Sequence, residues 1–251
     1  MVVKCDGSGF WVSIYFKRVA KAVKPRTVMS IDLNFDNVTL AVLTLDGGLL
    51  KLKRFKMPHR KILSHRIWVE RVQRRYPRSW RFIKGVRKAV DRHGERIRDI
   101  SWDYSHKIGD LVAELALKYH SVIILEDLDE LRENSKKSRE FNKKLGLWFY
   151  RRIQFCIEYE ARERNLEVVK INPRSTSSKY PTCGGKLDEY EHRVLRCEKC
   201  GFVGGRDVIA VMNIYKKYVS KYSRCGVPGV AQTPPSPMRV RAGCGGTKMR
   251  L

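Results

Sequence analysis

The hydrophobic positions of this chain change period along its length, and the changes divide it into elements. Near the start they come as short β-branched and aromatic runs. Phe10-Trp11-Val12-Ser13-Ile14-Tyr15-Phe16 predicts a strand preceded by an Asp6-Gly7 turn, with almost nothing in front of it to pair with. Val28-Met29-Ser30-Ile31-Asp32-Leu33 predicts a second strand after the linker Lys24-Pro25-Arg26. Val38 to Leu45, the Asp46-Gly47-Gly48 turn and Leu49 to Phe55 predict a hairpin. From Met57 to Tyr119 the spacing becomes helical. Pro77 breaks or restarts the helix, and Gly94 separates a second piece. In that piece Ile97, Ile100, Tyr104, Ile108, Leu111, Leu115 and Tyr119 fall three or four apart, the spacing of one buried face. Ser121 to Glu126 is a short buried strand, Leu145 to Arg164 a helix with Leu147, Phe149, Ile153, Cys156, Ile157 and Tyr159 apolar, and Leu166 to Ile171 a strand. These three form a βαβ unit. The polar stretch Asp129 to Lys144 reads as an exposed loop, either a cover for substrate or a plain connection. A last helix runs from about Arg206 to Tyr222. The Gly- and Pro-rich stretch from Cys225 to Leu251 is assigned no structure.

Three acids interrupt this framework. Asp32 stands in an otherwise apolar strand, where a charge is rarely left without a partner or a metal. Val122 to Leu128 ends a buried-looking strand in Glu126 and Asp127, and Gly205-Arg206-Asp207-Val208 puts an acid at the start of the last helix. Three carboxylates on three framework elements suggest a metal-dependent site acting on a nucleic-acid backbone. The rival reading makes each of them a surface or capping residue.

Charge favours the first reading. Lys and Arg number 52 against 26 Asp and Glu, a formal net charge of +26. Such a balance points to a polyanion, and nucleic acid is the commonest. A membrane surface is the second choice, but there is no apolar run of about 18 residues and no signal-peptide core. The expectation is a soluble intracellular protein without a membrane partner. The basic residues concentrate between Arg60 and Lys88, where Arg71, Arg74, Arg75, Arg78 and Arg81 are interleaved with Trp68, Tyr76, Trp80 and Phe82. Arg and aromatic side chains together can hold phosphates and stack on bases. The alternative is a solvated helical face.

Seven cysteines, an odd number unevenly spaced, fit a metal site better than a disulfide framework. Cys197-Glu198-Lys199-Cys200-Gly201 is a knuckle that lets two thiolates reach one zinc. Its partner should lie about fourteen residues earlier, where the chain reads Tyr180-Pro181-Thr182-Cys183-Gly184. Tyr180 occupies the first ligand position, so Cys183, Cys197 and Cys200 remain, an incomplete zinc site. Either Asp188, His192, Cys225 or Cys244 completes it, or the ribbon is empty.

Taken in order, these residues resemble one family. Ser30-Ile31-Asp32-Leu33-Asn34, Ile124-Leu125-Glu126-Asp127-Leu128, Pro173 through Thr176-Ser177 to the cysteines, and Arg206-Asp207-Val208-Ile209-Ala210-Val211-Met212-Asn213-Ile214 are similar to the RuvC-like nuclease half of the TnpB family. These are transposon-encoded, RNA-guided DNA endonucleases related to the type V CRISPR effectors. The resemblance implies an α/β, RNase H-like (RuvC) fold with a basic helical insertion and a zinc-ribbon-like insertion. It implies that Asp32, Glu126 and Asp207 are catalytic acids holding two Mg²⁺ ions for phosphodiester cleavage, since Mg²⁺ prefers hard oxygen ligands. Asp127 would point away from Glu126 along a strand, Asn34 would orient the first acid, and Asn213 would pack the last helix or support the site. Arg174, Thr176 and Ser177 would lie near the nucleic-acid path. DNA and a guide RNA are the implied partners, in a prokaryotic cytoplasm and on the nucleoid when DNA is bound.

The implied domains are residues 1–24, the end of a wedge-like β-barrel; 25–172, a nuclease core with the basic insertion at 57–119; 173–205, the ribbon-like insertion, contacting target nucleic acid; 206–222, the final core helix; and 223–251, a disordered tail. Family members carry a longer N-terminal portion that binds the guide, and this chain starts where that portion should be finishing. Two functions follow: an Mg²⁺-dependent endonuclease of TnpB type, or a truncated transposase-related remnant that binds nucleic acid without catalysis. A transposase joining DNA ends shares the chemistry but finds no support in the ribbon or around Glu126.

Overall fold

The computed structural model describes residues 2–6, 9–13, 24–128, 146–174, 176 and 178–222. The predicted loop 129–144, the tail with Cys225 and Cys244, Ser177 and positions 14–16 of the first predicted strand lie outside the described residues. The chain opens with a hairpin, not with a lone strand. β1 (Val2–Asp6) pairs antiparallel with β2 (Gly9–Ser13), Asp6 facing Gly9 across the turn. The short Val2-Val3 run in front of Asp6-Gly7 is itself a strand, so the predicted strand does have a partner before it.

The main sheet has five strands. β3 (Thr27–Leu33) is central and antiparallel to β4 (Asn37–Thr44), which pairs antiparallel with the edge strand β5 (Leu49–Lys56). α1 (His59–Arg75) and α2 (Lys84–Tyr119) then lead to β6 (Ser121–Glu126), which runs parallel to β3 on its other side. α3 (Tyr150–Glu163) crosses to β7 (Val168–Ile171), parallel to β6. The order β5-β4-β3-β6-β7, three strands antiparallel and two parallel, is the RNase H-like arrangement.

All seven residues of β3 are buried because both faces of the sheet are covered. Met29, Ile31 and Leu33 face Ile108, Val112, Ala116, Ile153 and Ile157 of α2 and α3. Alternation sends Val28 to the other face, where it meets Ile214 of the last helix, and Ser30 and Asp32 share that direction. Each fully buried aliphatic side chain of this size contributes about 1.5–3 kcal/mol, so β3 fixes the position of Asp32 firmly.

The helical region departs from its prediction in three ways. α1 ends at Arg75 before Pro77, as expected, but α2 runs unbroken through Gly94, where an added methyl would meet nothing within 4 Å. An exposed glycine costs a helix about 1 kcal/mol, too little to stop 36 residues with turns on both sides. Leu111, predicted on the buried face, is 37% exposed. The buried face is small instead: Ser101, Ser105, Gly109, Ala113 and Ala116 accompany Ile108 and Val112. α3 crosses so closely that a Cβ on Gly109 would stand 2.8 Å from the carbonyl carbon and oxygen of Cys156. Third, α3 begins at Tyr150, later than predicted, and its Tyr159 is exposed on the outer side.

After β7 the chain builds a small antiparallel sheet from β8 (Leu187–Glu191), β9 (Val194–Cys197) and β10 (Val203–Gly205). β10 passes directly into α4 (Arg206–Tyr222), which packs over β3, β4 and β6. Among the described residues no helix is long and apolar enough to cross a membrane.

Candidate active site and metal centre

The sheet and α4 gather the three predicted acids. Asp32 is the sixth residue of β3, and Glu126 closes β6 one register step beyond the Ile31–Leu125 pair. Asp207 lies in the first turn of α4, where the helix dipole favours an anion. Asn34 joins two of them: its Nδ2 donates to Asp32 Oδ2 at 2.5 Å and to Asp207 Oδ1 at 3.2 Å. Asn34 thus touches both the first acid and the last.

Electrostatics follow from this crowding. Burial, reinforced by the neighbouring charges of Glu126 and Asp207, pushes the Asp32 carboxyl up to about 7, with the Asn34 hydrogen bond acting the other way. Burial also raises Glu126, against a hydrogen bond with Thr176 and the charge of Lys217. Asp207 is 1% exposed and carries four donors. Arg54 Nη2 lies 2.8 Å from Oδ2, Arg193 Nη2 donates to Oδ1 at 2.8 Å, and Asn34 and Asn37 supply the rest. Arg193 also holds Asp36 at 3.0 Å.

Arg54, Arg193, Asn37 and Lys217 were not anticipated from the sequence. Arg54 had a legible signal: in the sheet Asp32 faces Thr39 and Thr39 faces Arg54, so the three lie in line on one face. Arg193 had none, since it reaches the site from the β8–β9 turn in a left-handed conformation, φ 64°. Asn213 ties α4 to the approach to the small sheet, donating to the carbonyls of Thr176 at 2.7 Å and Lys179 at 2.8 Å. Asp127 leaves β6 with its N–H on the Ile171 carbonyl.

The carboxylates suit hard divalent cations, and their burial makes a compensating positive charge favourable. Their oxygens do not all lie within 4.8 Å of one another; among the described residues the three cysteines are the group whose ligand atoms do. Cys183 Sγ is 3.4 Å from Cys197 Sγ and 3.5 Å from Cys200 Sγ. Tyr180 turns its ring onto Phe202, centroids 4.4 Å apart. Asp188 and His192, candidates for a fourth ligand, do not join the cluster, and Asp188 pairs with Lys186 at 3.2 Å.

The basic residues are surface-directed. Arg71, Arg74, Arg75, Arg78 and Arg81 are all exposed on α1 and the turn after it. Arg81 covers the Trp80 ring at 4.7 Å and Arg75 approaches Tyr76 at 5.9 Å. None of the five has an acidic partner among the described residues. Arg174 is exposed beside Lys217, which donates to its carbonyl.

Comparison with known proteins bears on the whole arrangement. Residues 150–214 match the family described as Cas12f1-like, TNB domain. A TnpB-like protein of Methanocaldococcus jannaschii is 34% identical over 223 residues, 86% of this chain and 77% of that protein. The CRISPR-associated endodeoxyribonuclease Cas12f1 of Sulfoacidibacillus thermotolerans is 23% identical over 85% of this chain and 51% of its own length. The fold resembles Cas12f1 in a Cas12f1–sgRNA–target DNA complex, with a TM-score of 0.54 at 18% identity over 85% of this chain and 55% of that one. The chain thus spans about half the length of these two Cas12f1 chains.

Proposed function

The chain belongs to the TnpB family, and on that premise we propose that it is a divalent-metal-dependent DNA endonuclease hydrolysing phosphodiester bonds with Asp32, Glu126 and Asp207. The observation that carries the reading is that β3, β6 and α4 bring the three acids to one end of the sheet, with Asn34 bonded to Asp32 and Asp207 and the charge of Glu126 acting on Asp32. Asp32, Glu126 and Asp207 would hold Mg²⁺, two ions by family resemblance. Bound there, Mg²⁺ supplies Lewis-acid polarisation of the phosphate and a lower pKa for the attacking water.

The chain's own groups prepare that chemistry. Asn34 fixes the carboxylates of Asp32 and Asp207 relative to each other, so that neither side chain must reorganise when substrate arrives. Arg54 is 51% exposed at its side chain while touching Asp207, which leaves a cation at the rim for a phosphate of the substrate strand. Arg71, Arg74, Arg75, Arg78, Arg81 and Arg174 supply phosphate contacts away from the acids, and the ribbon-like region 173–205 contributes contacts to target nucleic acid. By likeness to Cas12f1, whose described complex contains an sgRNA and target DNA, the partners are DNA and a guide RNA.

Cleavage of labelled single- and double-stranded DNA in Mg²⁺ tests this, comparing wild type with Asp32→Ala, Glu126→Ala and Asp207→Ala. Each is run with and without RNA recovered from the producing cells. Cleavage by wild type and loss of it in all three variants, with DNA binding retained, is the expected result. Full activity in any variant removes that residue from the site, and binding without cleavage in wild type moves the chain to a non-catalytic role.

A further inference from the structure

The cysteine cluster sits between two turns of the same backbone shape. Gly201 N–H donates to the Cys197 carbonyl and Gly184 N–H to the Tyr180 carbonyl, both at 2.9 Å. Both glycines are left-handed, φ 71° and φ 70°. Tyr180 therefore stands in its turn where Cys197 stands in the other, and the turn has kept its form without the thiol. At that position stands an aromatic stack, Tyr180 on Phe202 at 4.4 Å and 20° between planes, which joins the two turns directly.

The remaining thiols are arranged for a metal. Their sulfurs lie 3.4 and 3.5 Å from that of Cys183. Gly185 leaves the space beside them free, for a Cβ there would come 2.7 Å from Cys197 Sγ and 3.3 Å from Cys183 Sγ. No His, Asp, Glu or further Cys among the described residues joins the group, and Cys200 is exposed. Zinc takes four ligands, and a site with three protein ligands leaves the fourth position to a small molecule.

We propose that Cys183, Cys197 and Cys200 form a three-thiolate zinc site whose fourth position is open to a small exogenous donor, the Tyr180–Phe202 stack having taken over the structural duty of the missing thiolate. The ligand class is a monodentate soft or borderline donor, a low-molecular-weight thiol or an imidazole, displacing water. The ribbon's metal is then exchangeable, and its coordination reports on the thiols around it.

Cobalt(II) titration of the full chain tests this, with the visible d–d and thiolate charge-transfer bands as readout and zinc content by elemental analysis as a check. The expected result is one equivalent bound through thiolates, with bands that shift on adding imidazole or 2-mercaptoethanol. In Tyr180→Cys the bands are expected at a four-thiolate position and unmoved by either additive. Wild type that binds neither cobalt nor zinc overturns the proposal. So do wild-type bands that ignore both additives, and Cys225→Ser or Cys244→Ser altering such a fixed spectrum would identify the ligand from the tail. A Tyr180→Cys spectrum that still shifts also overturns it, since the open position would then not be that of Tyr180.

Discussion

Arg193 Nη2 lies 2.8 Å from Asp207 Oδ1, so the turn of the small sheet grips the acid at the start of α4. A divalent cation held by Asp207 would compete with that contact for the same carboxylate. Arg193→Ala is expected to weaken the metal-free protein by about 1–3 kcal/mol, the worth of a hydrogen bond to a buried charge. The same variant is expected to bind Mn²⁺ more tightly. Urea denaturation in chelator and a Mn²⁺ titration followed by electron paramagnetic resonance measure the two effects. Unchanged affinity would show that Arg193 holds Asp207 without opposing a metal.

Asp32 makes stability depend on pH in the direction unusual for an acid. Its carboxyl is raised from 3.8 to about 7 in the folded chain. Well below its ordinary value of 3.8 both states carry the proton and the group adds no pH dependence. As pH rises the unfolded chain releases its proton first, so stability falls until the folded carboxyl titrates near 7 and then levels. The accumulated cost is on the order of 4 kcal/mol. Asp32→Asn escapes it and is expected to raise the urea midpoint of metal-free protein at pH 8 while changing little at pH 4. An equal gain at both pH values would remove ionisation as the source.

Two glycines of α2 should respond oppositely to alanine. Gly94 has nothing within 4 Å of the added methyl, so Gly94→Ala is expected to stabilise by about 0.5–1 kcal/mol through helix propensity. At Gly109 the methyl meets the Cys156 backbone at 2.8 Å, and Gly109→Ala is expected to destabilise by about 1–3 kcal/mol as the helices are forced apart. Thermal unfolding of the two variants side by side decides it. Two shifts of the same sign would mean that α2 and α3 are not packed this closely.

The arginines of α1 and its following turn should act through phosphate neutralisation. Replacing Arg71, Arg74, Arg75, Arg78 and Arg81 together by Ala is expected to flatten the slope of log affinity for DNA against log salt by up to about 4.5, near 0.9 for each lost contact. Fluorescence anisotropy between about 50 and 200 mM salt covers the relevant range. An unchanged slope would place DNA on another surface.

The sheet was legible because its signals are local. β3 is an apolar run around one acid, β4 and β5 flank an Asp46-Gly47-Gly48 turn, and β6, α3 and β7 show a change of period that βαβ units share. Asp32 stood out as a charge inside an apolar strand, Glu126 as an acid ending a buried-looking strand and Asp207 as an acid at the start of a helix. The misreadings came from weights that only tertiary packing sets. Gly94 looked like a boundary although its cost is small beside a long helix, and Leu111 looked buried although the close approach of α3 reserves the inner face for Gly109 and its small neighbours. Arg193 was invisible because a hairpin turn remote from the sheet pattern delivers it, whereas Arg54 was within reach of register counting from Asp32 through Thr39.

The length of α2 has a mechanical consequence. At about 1.5 Å per residue its 36 residues form a rod of roughly 54 Å, buried mainly along its second half, from Ser101 to Ala116, with Val90, Ile97 and Ile100 adding contacts before it. The first half, braced by α1, extends outward with the exposed arginines near its far end. A tilt of about 10° at the seat would swing Lys84, some 26 Å away, by roughly 4–5 Å. Torque on that end, from any polyanion bound there, would be delivered to Ile108 and Val112, which share one core cluster with Met29 and Ile31 of β3 and Ile123 and Leu125 of β6.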